Sequence, residues 1–449
     1  MLHDTIVALS TAAAEAAVSV IRVSGPRALN VASQVLRGRR PLVDLPTRTA
    51  CRVDALGSAG EVVDEGLVLV FRAPASFTGE DVVEFQGHGG LLVSSTVLGA
   101  LLAAGARAAG PGEFTQRAYL NGKLDLTQAE AVMDLIHAQS RLALRAANEQ
   151  LGGAIGREAE ALKQDLLPVL AHIEAYIDFP DEDIRPETGV MLLARLDAVL
   201  ARAKRLIATS EQGRILRQGA RTVICGRPNA GKSSLLNLLS GFERAIVSPT
   251  AGTTRDTIEE IVQVHGLPLK LVDTAGLRDS GDAIEQLGIE RTRREMERAD
   301  LILEVVDASQ PPGPGVEVPA GLACRHLRVL NKIDLGMAPG WQPGPSDLTV
   351  SCRDGAGLDA LRESIRQLIL RAGPLQEAHP IAVNARHRAC FERVAERTAE
   401  ARRVLIEGVA PEFVALELRE ALQALGEVVG AVDVEEVLDV IFASFCIGK

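Results

Sequence analysis

Arg221 to Gly241 reads RTVICGRPNAGKSSLLNLLSG, and the order of residue types in it decides how the middle of the chain folds. Thr222 to Cys225 is a short apolar, β-prone run, Gly226 to Ser233 spells GxxxxGKS, and Ser234 to Leu239 begins a helix. Strand, glycine-rich loop and helix in that order make a phosphate-binding loop, because glycines let backbone N–H groups close around phosphate oxygens at a helix N-terminus. In such a loop Asn229, Ala230, Gly231 and Ser234 line the nucleotide, Lys232 supplies charge to the outer phosphates and the Ser233 hydroxyl ligates Mg2+. The plainer reading is a glycine-rich loop closing some other βα turn. The strand before and the helix after count against it.

Working outward, Leu269 to Val272 is a second buried strand that runs into Asp273-Thr274-Ala275-Gly276. An Asp at a strand end holds the Mg2+ shell there, and the Gly senses the γ-phosphate. Leu327 to Leu330 is a third strand, running into Asn331-Lys332-Ile333-Asp334. A carboxylate placed like that of Asp334 accepts two hydrogen bonds from the ring N–H and exocyclic amine of guanine. Adenine presents the opposite polarity on that edge, and leaving those groups unpaired is what rejects ATP. Ser351-Cys352-Arg353 follows the strand-like Leu348 to Val350 and would cap the base. In this order and at these spacings the motifs resemble the GTPase superfamily.

The 449 residues suggest about three domains, each large enough to own a core. Lys and Arg total 48 against 59 Asp and Glu, a net charge of -11, and aromatic residues are 3%. Nothing in that balance advertises nucleic-acid binding, so any RNA contact must be local or shared with a partner. The six cysteines never approach CxxC spacing, which indicates neither a zinc site nor a disulfide framework and fits a reducing cytoplasm. Asp4 and Glu15 stand where a signal peptide needs a basic region and an apolar core. The charge-free run from Gly89 to Ala106 is diluted by glycine, serine and threonine below a membrane span, and reads as a buried helix.

Residues 1–119 alternate short β-prone runs with turns, the best being Thr5 to Leu9, Val18 to Val23, Val62 to Arg72 and Val82 to Phe85, with one good helix from Leu91 to Ala103. This is a compact α+β unit. From Leu124 the period changes: Leu126, Ala129, Met133, Ile136, Ala143 and Ala147 share one face of a long amphipathic helix, and Leu162, Leu166, Val169, Ile173 and Tyr176 share a face of another. Asp178-Phe179-Pro180-Asp181-Glu182-Asp183 breaks them with a proline and four acids. An acidic loop can hold a cation, although solvated charge is the simpler reading. Helical spacing resumes to about Gln212 and returns beyond Pro380. The expected organisation is therefore a helical domain split into 120–214 and 379–449, with a GTPase domain, 215–378, inserted in it. Pro311 to Gly321 and Gly336 to Ser346 read as surface decoration on the insert.

Ser76-Phe77-Thr78-Gly79-Glu80-Asp81, Gln86-Gly87-His88-Gly89-Gly90, Pro111-Gly112-Glu113-Phe114-Thr115 and Leu120-Asn121-Gly122-Lys123-Leu124-Asp125-Leu126 join GRPNAGKSS, TAGTTRD from Thr250 and the closing Cys446-Ile447-Gly448-Lys449. Together they closely resemble the MnmE (TrmE) family of tRNA-modification GTPases along the full length. The resemblance implies an N-terminal α+β folate-binding domain, a discontinuous helical domain and an inserted Ras-like P-loop GTPase domain, in a cytoplasmic homodimer. It implies a FAD-dependent partner of the MnmG (GidA) family and an aminomethyl-type group placed on carbon 5 of wobble uridine in tRNA, from a formyl- or methylene-tetrahydrofolate one-carbon unit. The family's folate ligands fall on Arg22, Glu84, Lys123 and Lys449: cations for the glutamate tail or formyl oxygen, and a carboxylate for the pterin N–H edge. Cys446 is not a prenylation site, since Gly448 is not aliphatic; its thiol is either a nucleophile toward uridine carbon 6 or a pocket filler. Two stretches depart from the family pattern: Thr11 to Ala17 replaces a glycine-rich, proline-containing segment, and Ser248-Pro249-Thr250 replaces a Thr-led one.

Ras-type GTPases place a Gln after the DxxG motif to orient the attacking water, and here that residue is Leu277. The resemblance assigns the task to Glu285. It also gives K+ to Asn229 and to carbonyls of Ser248, Thr250 and Thr253, and has Thr254 complete the Mg2+ shell with Ser233. A GTPase ribosome-assembly factor is the alternative function, and it would have no use for a one-carbon donor.

Overall fold

The computed structural model describes residues 4–178, 189–240, 260–272, 294–316, 325–344, 347–370, 382–431, 438, 441–443 and 445–448. The chain folds as two compact units, Met1–Met133 with Gly426–Lys449, and Asp134–Leu425.

The first unit is built on seven strands: β1 (Ile6–Leu9), β2 (Ala16–Ser24), β3 (Leu36–Gly38), β4 (Cys51–Leu56), β5 (Val62–Phe71), β6 (Val82–Gly89) and β7 (Arg107–Ala108), in the order β3-β4-β5-β6-β2-β1-β7. Alternate residues Ile21 and Val23, Val68 and Val70, and Val83 and Phe85 are buried together with α1 (Ala28–Val35) and α2 (Leu91–Ala103), as a sheet covered on that face requires. The helix expected from Leu91 to Ala103 is present but only half-buried, since Leu91 and Leu92 are exposed while Val97 and Leu101 are core. Periodicity missed α1, β3 and β4. Each is short, and β4 sets its inward Val53 and Ala55 in alternation with Arg52 and Asp54.

The end of the chain belongs to this same unit. Leu438, Phe442 and Phe445 form a cluster with Leu126, Ala129 and Met133, and the Tyr119 hydroxyl donates to Gly430 O at 2.6 Å. Ile447 bridges Pro111, and Gly112 N donates to Cys446 O at 3.3 Å. Gly112 allows the approach: its φ is +62°, and a Cβ there would stand 2.8 Å from that of Phe445. Burying the two phenylalanine rings contributes roughly 2 to 3 kcal/mol each.

Among the described residues the second unit holds six strands, β8 (Ala220–Cys225), β9 (Glu260–Val264), β10 (Leu267–Val272), β11 (Leu301–Asp307), β12 (Arg325–Asn331) and β13 (Asp347–Val350), in the order β13-β12-β11-β8-β10-β9. All neighbours are parallel except β9, which runs antiparallel to β10. Near-continuous apolar runs such as Leu301 to Val305 mark strands covered on both faces. The helix after the phosphate loop spans Lys232–Ser240, and a helix at Leu358–Leu370, absent from the periodicity reading, buries Leu361, Ile365 and Ile369.

One expectation from the helical pattern is corrected. The helical face read continuously from Leu126 to Ala147 is two helices, Leu126–His137 and Arg141–Leu151, because the Ser140 side chain accepts from Ala143 N at 3.1 Å and starts a new helix. The described part of the proline-rich loops is mostly exposed, in keeping with the surface reading, and is tied down by hydrogen bonds. The buried carboxylate of Glu304 accepts from Val316 N at 2.8 Å, and Trp341 Nε1 donates to Gln310 O at 2.7 Å. The acidic run from Phe179 to Asp183 lies outside the described residues.

Candidate functional site

The phosphate loop leaves the end of β8 and turns on three residues with positive φ, Gly226 (+140°), Asn229 (+61°) and Gly231 (+101°). Two of them have no room for a side chain: a Cβ on Gly226 would lie 2.1 Å from Val305 O, and one on Gly231 2.1 Å from the Asn331 amide. Lys232 opens the helix, and its ammonium donates to Gly226 O and Arg227 O, both at 2.9 Å. Burial pulls the Lys232 pKa below its usual value, a penalty that a phosphate anion at this helix N-terminus would offset. Ser233 and Ser234 are exposed on the first turn.

Asn331 ties this loop to the base-binding loops. Its Nδ2 donates to Ala230 O at 2.9 Å, and its Oδ1 accepts from Cys352 N at 3.1 Å. Lys332 adopts φ +65° and bonds Asp307 at 2.7 Å, which turns the chain into the 3-10 turn Ile333–Leu335 and presents Asp334. Burial raises the pKa of Asp307, yet Lys332 and Ser309 hold it below the usual carboxylate value. The Asp334 carboxylate accepts from Ser351 Oγ at 3.1 Å, and Arg353 stands 3.9 Å away. Phosphate loop, NKID and SCR are therefore one continuous hydrogen-bonded surface. Burial pushes the Cys225 thiol up to about 12 and, with the Asp334 charge, Cys352 up to about 11, so both stay protonated. Ser248, Thr250, Thr253, Thr254, Asp273, Thr274, Ala275, Gly276 and Glu285 lie outside the described residues.

Residues 126–446 match the family model described as MnmE helical domain, and residues 5–123 match that of GTP-binding protein TrmE N-terminus. The tRNA modification GTPase MnmE of Akkermansia muciniphila is 50% identical over 454 residues, covering 99% of each chain. Those of Opitutus terrae (46%, covering 100% of this chain and 99% of the relative) and Chloroflexus aurantiacus (44%, 100% of both) follow. The chain belongs to the MnmE (TrmE) family of tRNA modification GTPases. It is accordingly a GTPase built from the family's N-terminal and helical parts and a P-loop nucleotide fold. Among the described residues no helix is long and apolar enough to cross a membrane.

In the first unit, Arg22 and Glu84 face each other across β2 and β6 and join through Nε–Oε1 at 2.8 Å, each side chain 17% exposed. The Arg22 guanidinium lies 5.7 Å from the Phe77 ring centroid and 5.6 Å from that of Phe114. Lys123 Nζ donates to Pro74 O at 3.0 Å, on the loop that carries Phe77. Cys446 is exposed beside Gly112, two residues before Phe114, and Lys449 lies outside the described residues. Among the described residues Arg22 bonds through its Nε, to Glu84, and its two guanidinium N–H2 groups lie near the aromatic rings. A pteridine, a benzoate or a carboxylate fits that donor set.

Sequence reasoning missed what holds this neighbourhood in place. Arg117 is 2% exposed and bonds Asp4 at 2.7 Å, Glu113 at 2.9 Å and Glu80 at 3.1 Å, while Ser24 Oγ donates to Glu80 at 2.7 Å. Glu80 and Glu113, carried by SFTGED and PGEFT, thus neutralise a buried arginine. Burial opposes ionisation of Glu113, but Arg107, the Gly110 N–H and Arg117 outweigh it and keep its pKa low. Only the i,i+4 spacing of Glu113 and Arg117 was visible in sequence.

Proposed function

We propose that the protein couples GTP hydrolysis to the modification of carbon 5 of wobble uridine in tRNA, together with a FAD-dependent partner of the MnmG type. Family membership supports the tRNA part of this reading, and the observation that carries its GTP part is the hydrogen-bonded joint at Asn331. It fixes the phosphate loop at Ala230 and the base loop at Cys352 in one arrangement, as a triphosphate and a guanine held at once require. Water attacks the γ-phosphate, giving GDP and inorganic phosphate. Lys232 neutralises charge on the phosphates, Ser233 with Thr254 and Asp273 holds Mg2+, and Asn229 with the carbonyls of Ser248, Thr250 and Thr253 holds K+. Glu285 orients the water. Asp334 takes the guanine edge, and Ser351, Cys352 and Arg353 cap it.

The one-carbon unit comes from a formyl- or methylene-tetrahydrofolate, which supplies carbon at the formyl or methylene oxidation level. Arg22, Glu84, Lys123 and Lys449 hold it, with Phe77 and Phe114 flanking the guanidinium. The protein acts in the cytoplasm as a homodimer. Nucleoside analysis of tRNA from cells lacking this chain tests the reading: the modified wobble uridine disappears and returns on complementation. Unaltered wobble uridines would sink it.

A further inference from the structure

Part of the first unit carries a charge balance opposite to that of the whole protein. From Arg27 to Arg52 there are six arginines and a single acid, Asp44, in a chain of net charge -11. Arg37 lies on β3, the edge strand of the seven-stranded sheet, and Arg39 and Arg40 follow it directly; all three are exposed. The strap then pins itself to the core through Leu42 and Leu45. Two more guanidinium groups flank it: Arg72 Nη2 donates to Val43 O at 2.7 Å, and Arg48 Nη2 donates to Ala75 O at 3.1 Å.

Among the described residues none of these five arginines has an ion-pair partner, although Arg37 stands opposite Asp54 in the β3–β4 ladder. Some arginines elsewhere on the surface are paired, as Arg388 is with Glu392, Arg402 with Asp197 and Arg403 with Glu400. Protecting a sheet edge explains one charge on a three-residue strand, not a cluster that extends to Arg48 and Arg72. Guanidinium groups without carboxylates, on a backbone anchored by buried leucines, suit a row of phosphates. The strap offers Val43 but no exposed aromatic residue, and so lacks the apolar anchor that a membrane-surface segment pairs with its basic residues.

We propose that this arginine strap, Arg37 to Arg48 with Arg72, holds the phosphate backbone of tRNA. The inference rests on the tRNA-modifying reading above and names the surface by which the substrate is held. It also accounts for RNA binding by an acidic protein, since screening confines the repulsion of distant charges to about a Debye length, roughly 8 Å at physiological salt.

Binding of a tRNA transcript to the full-length protein, followed by fluorescence anisotropy across a KCl series, tests it. The triple variant R37Q/R39Q/R40Q is expected to bind about tenfold or more weakly, with the slope of log affinity against log salt reduced by about 2 to 3. Lysine at the same three positions restores most of the affinity and slope. R388Q/R402Q/R403Q, which removes the same charge from paired arginines, stays close to the unsubstituted protein. Equal affinity and slope in the triple glutamine variant would overturn the proposal. So would an equal loss in the paired-arginine control, or a variant that loses only binding to phosphatidylserine vesicles. If the unsubstituted protein binds no tRNA the proposal also falls, and the nucleoside analysis still judges the modifying function separately.

Discussion

The nucleotide site of the second unit and the arginine pocket of the first are assembled by different rules. The nucleotide site is made of loops that leave the ends of parallel strands, and its critical features are backbone features: positive φ at Gly226, Asn229 and Gly231, and a Cβ excluded by Asn331. The pocket is made of side chains from segments far apart in sequence, with Arg22 and Glu84 from two strands, Phe77 from a loop, Phe114 from the helix Glu113–Leu120, and a buried Arg117 on that same helix. A site of the first kind fails by losing specificity or phosphate affinity. One of the second kind fails by losing its scaffold.

The largest effect is expected in the first kind. Asp334→Asn offers a donor where guanine also offers donors, so GTP affinity falls on the order of a hundredfold or more while xanthosine triphosphate binding improves. Competition between the two nucleotides reads this out, and retained GTP preference would remove Asp334 from the base site. In the other region the matching change is Arg117→Ala, which leaves Asp4, Glu80 and Glu113 clustered without their cation. Removing one partner of a buried charge network costs about 3 to 5 kcal/mol, seen as an early melting transition. A variant that melts with the unsubstituted protein would show the network to be dispensable.

These two changes also mark what was legible in sequence. The phosphate loop was readable because its requirement is local: glycines, lysine and serine at fixed spacing between a strand and a helix. Arg117 was not, because its partners sit at positions 4, 80 and 113 and only folding joins them. Arg22 and Glu84 came through family resemblance alone, since nothing in two separate β-runs says that they are register partners. The break at Ser140 was hidden for another reason: the apolar period crosses it nearly in phase, and only the capping hydroxyl distinguishes two helices from one.

A smaller effect sharpens the contrast by ionic conditions. Hydrolysis faster in K+ than in Na+, at saturating GTP, is expected if Asn229 and neighbouring carbonyls form a cation site, whereas the arginine pocket has no reason to distinguish the two salts. Equal rates would dismiss the K+ site.

The smallest concerns pH in the first unit. The exposed His88 ring bonds the buried Asp64 at 2.6 Å. Its pKa is raised by that bond, while burial pushes Asp64 up less than His88 and the backbone N–H groups of His88 and Glu65 pull it down. The histidine's contribution is complete below its ordinary value of 6.5 and fades as pH rises through the raised one. That of Asp64 is complete above 3.8 and fades as pH falls through its lowered value. The difference in melting temperature between the protein and His88→Gln should therefore peak between these limits and shrink in alkali. A pH-independent difference would mean that the pair does not ionise.

The central claim is that one chain carries two separable sites, with its C-terminal tail serving only the first unit. Deleting Cys446 to Lys449 and titrating formyl-tetrahydrofolate by calorimetry, beside a GTPase assay on the same preparation, tests this most directly. Loss of one charge-assisted contact, about 1.5 to 3 kcal/mol, predicts roughly ten- to a hundredfold weaker folate binding with basal hydrolysis intact. Unchanged folate affinity, or the loss of both activities together, would contradict it.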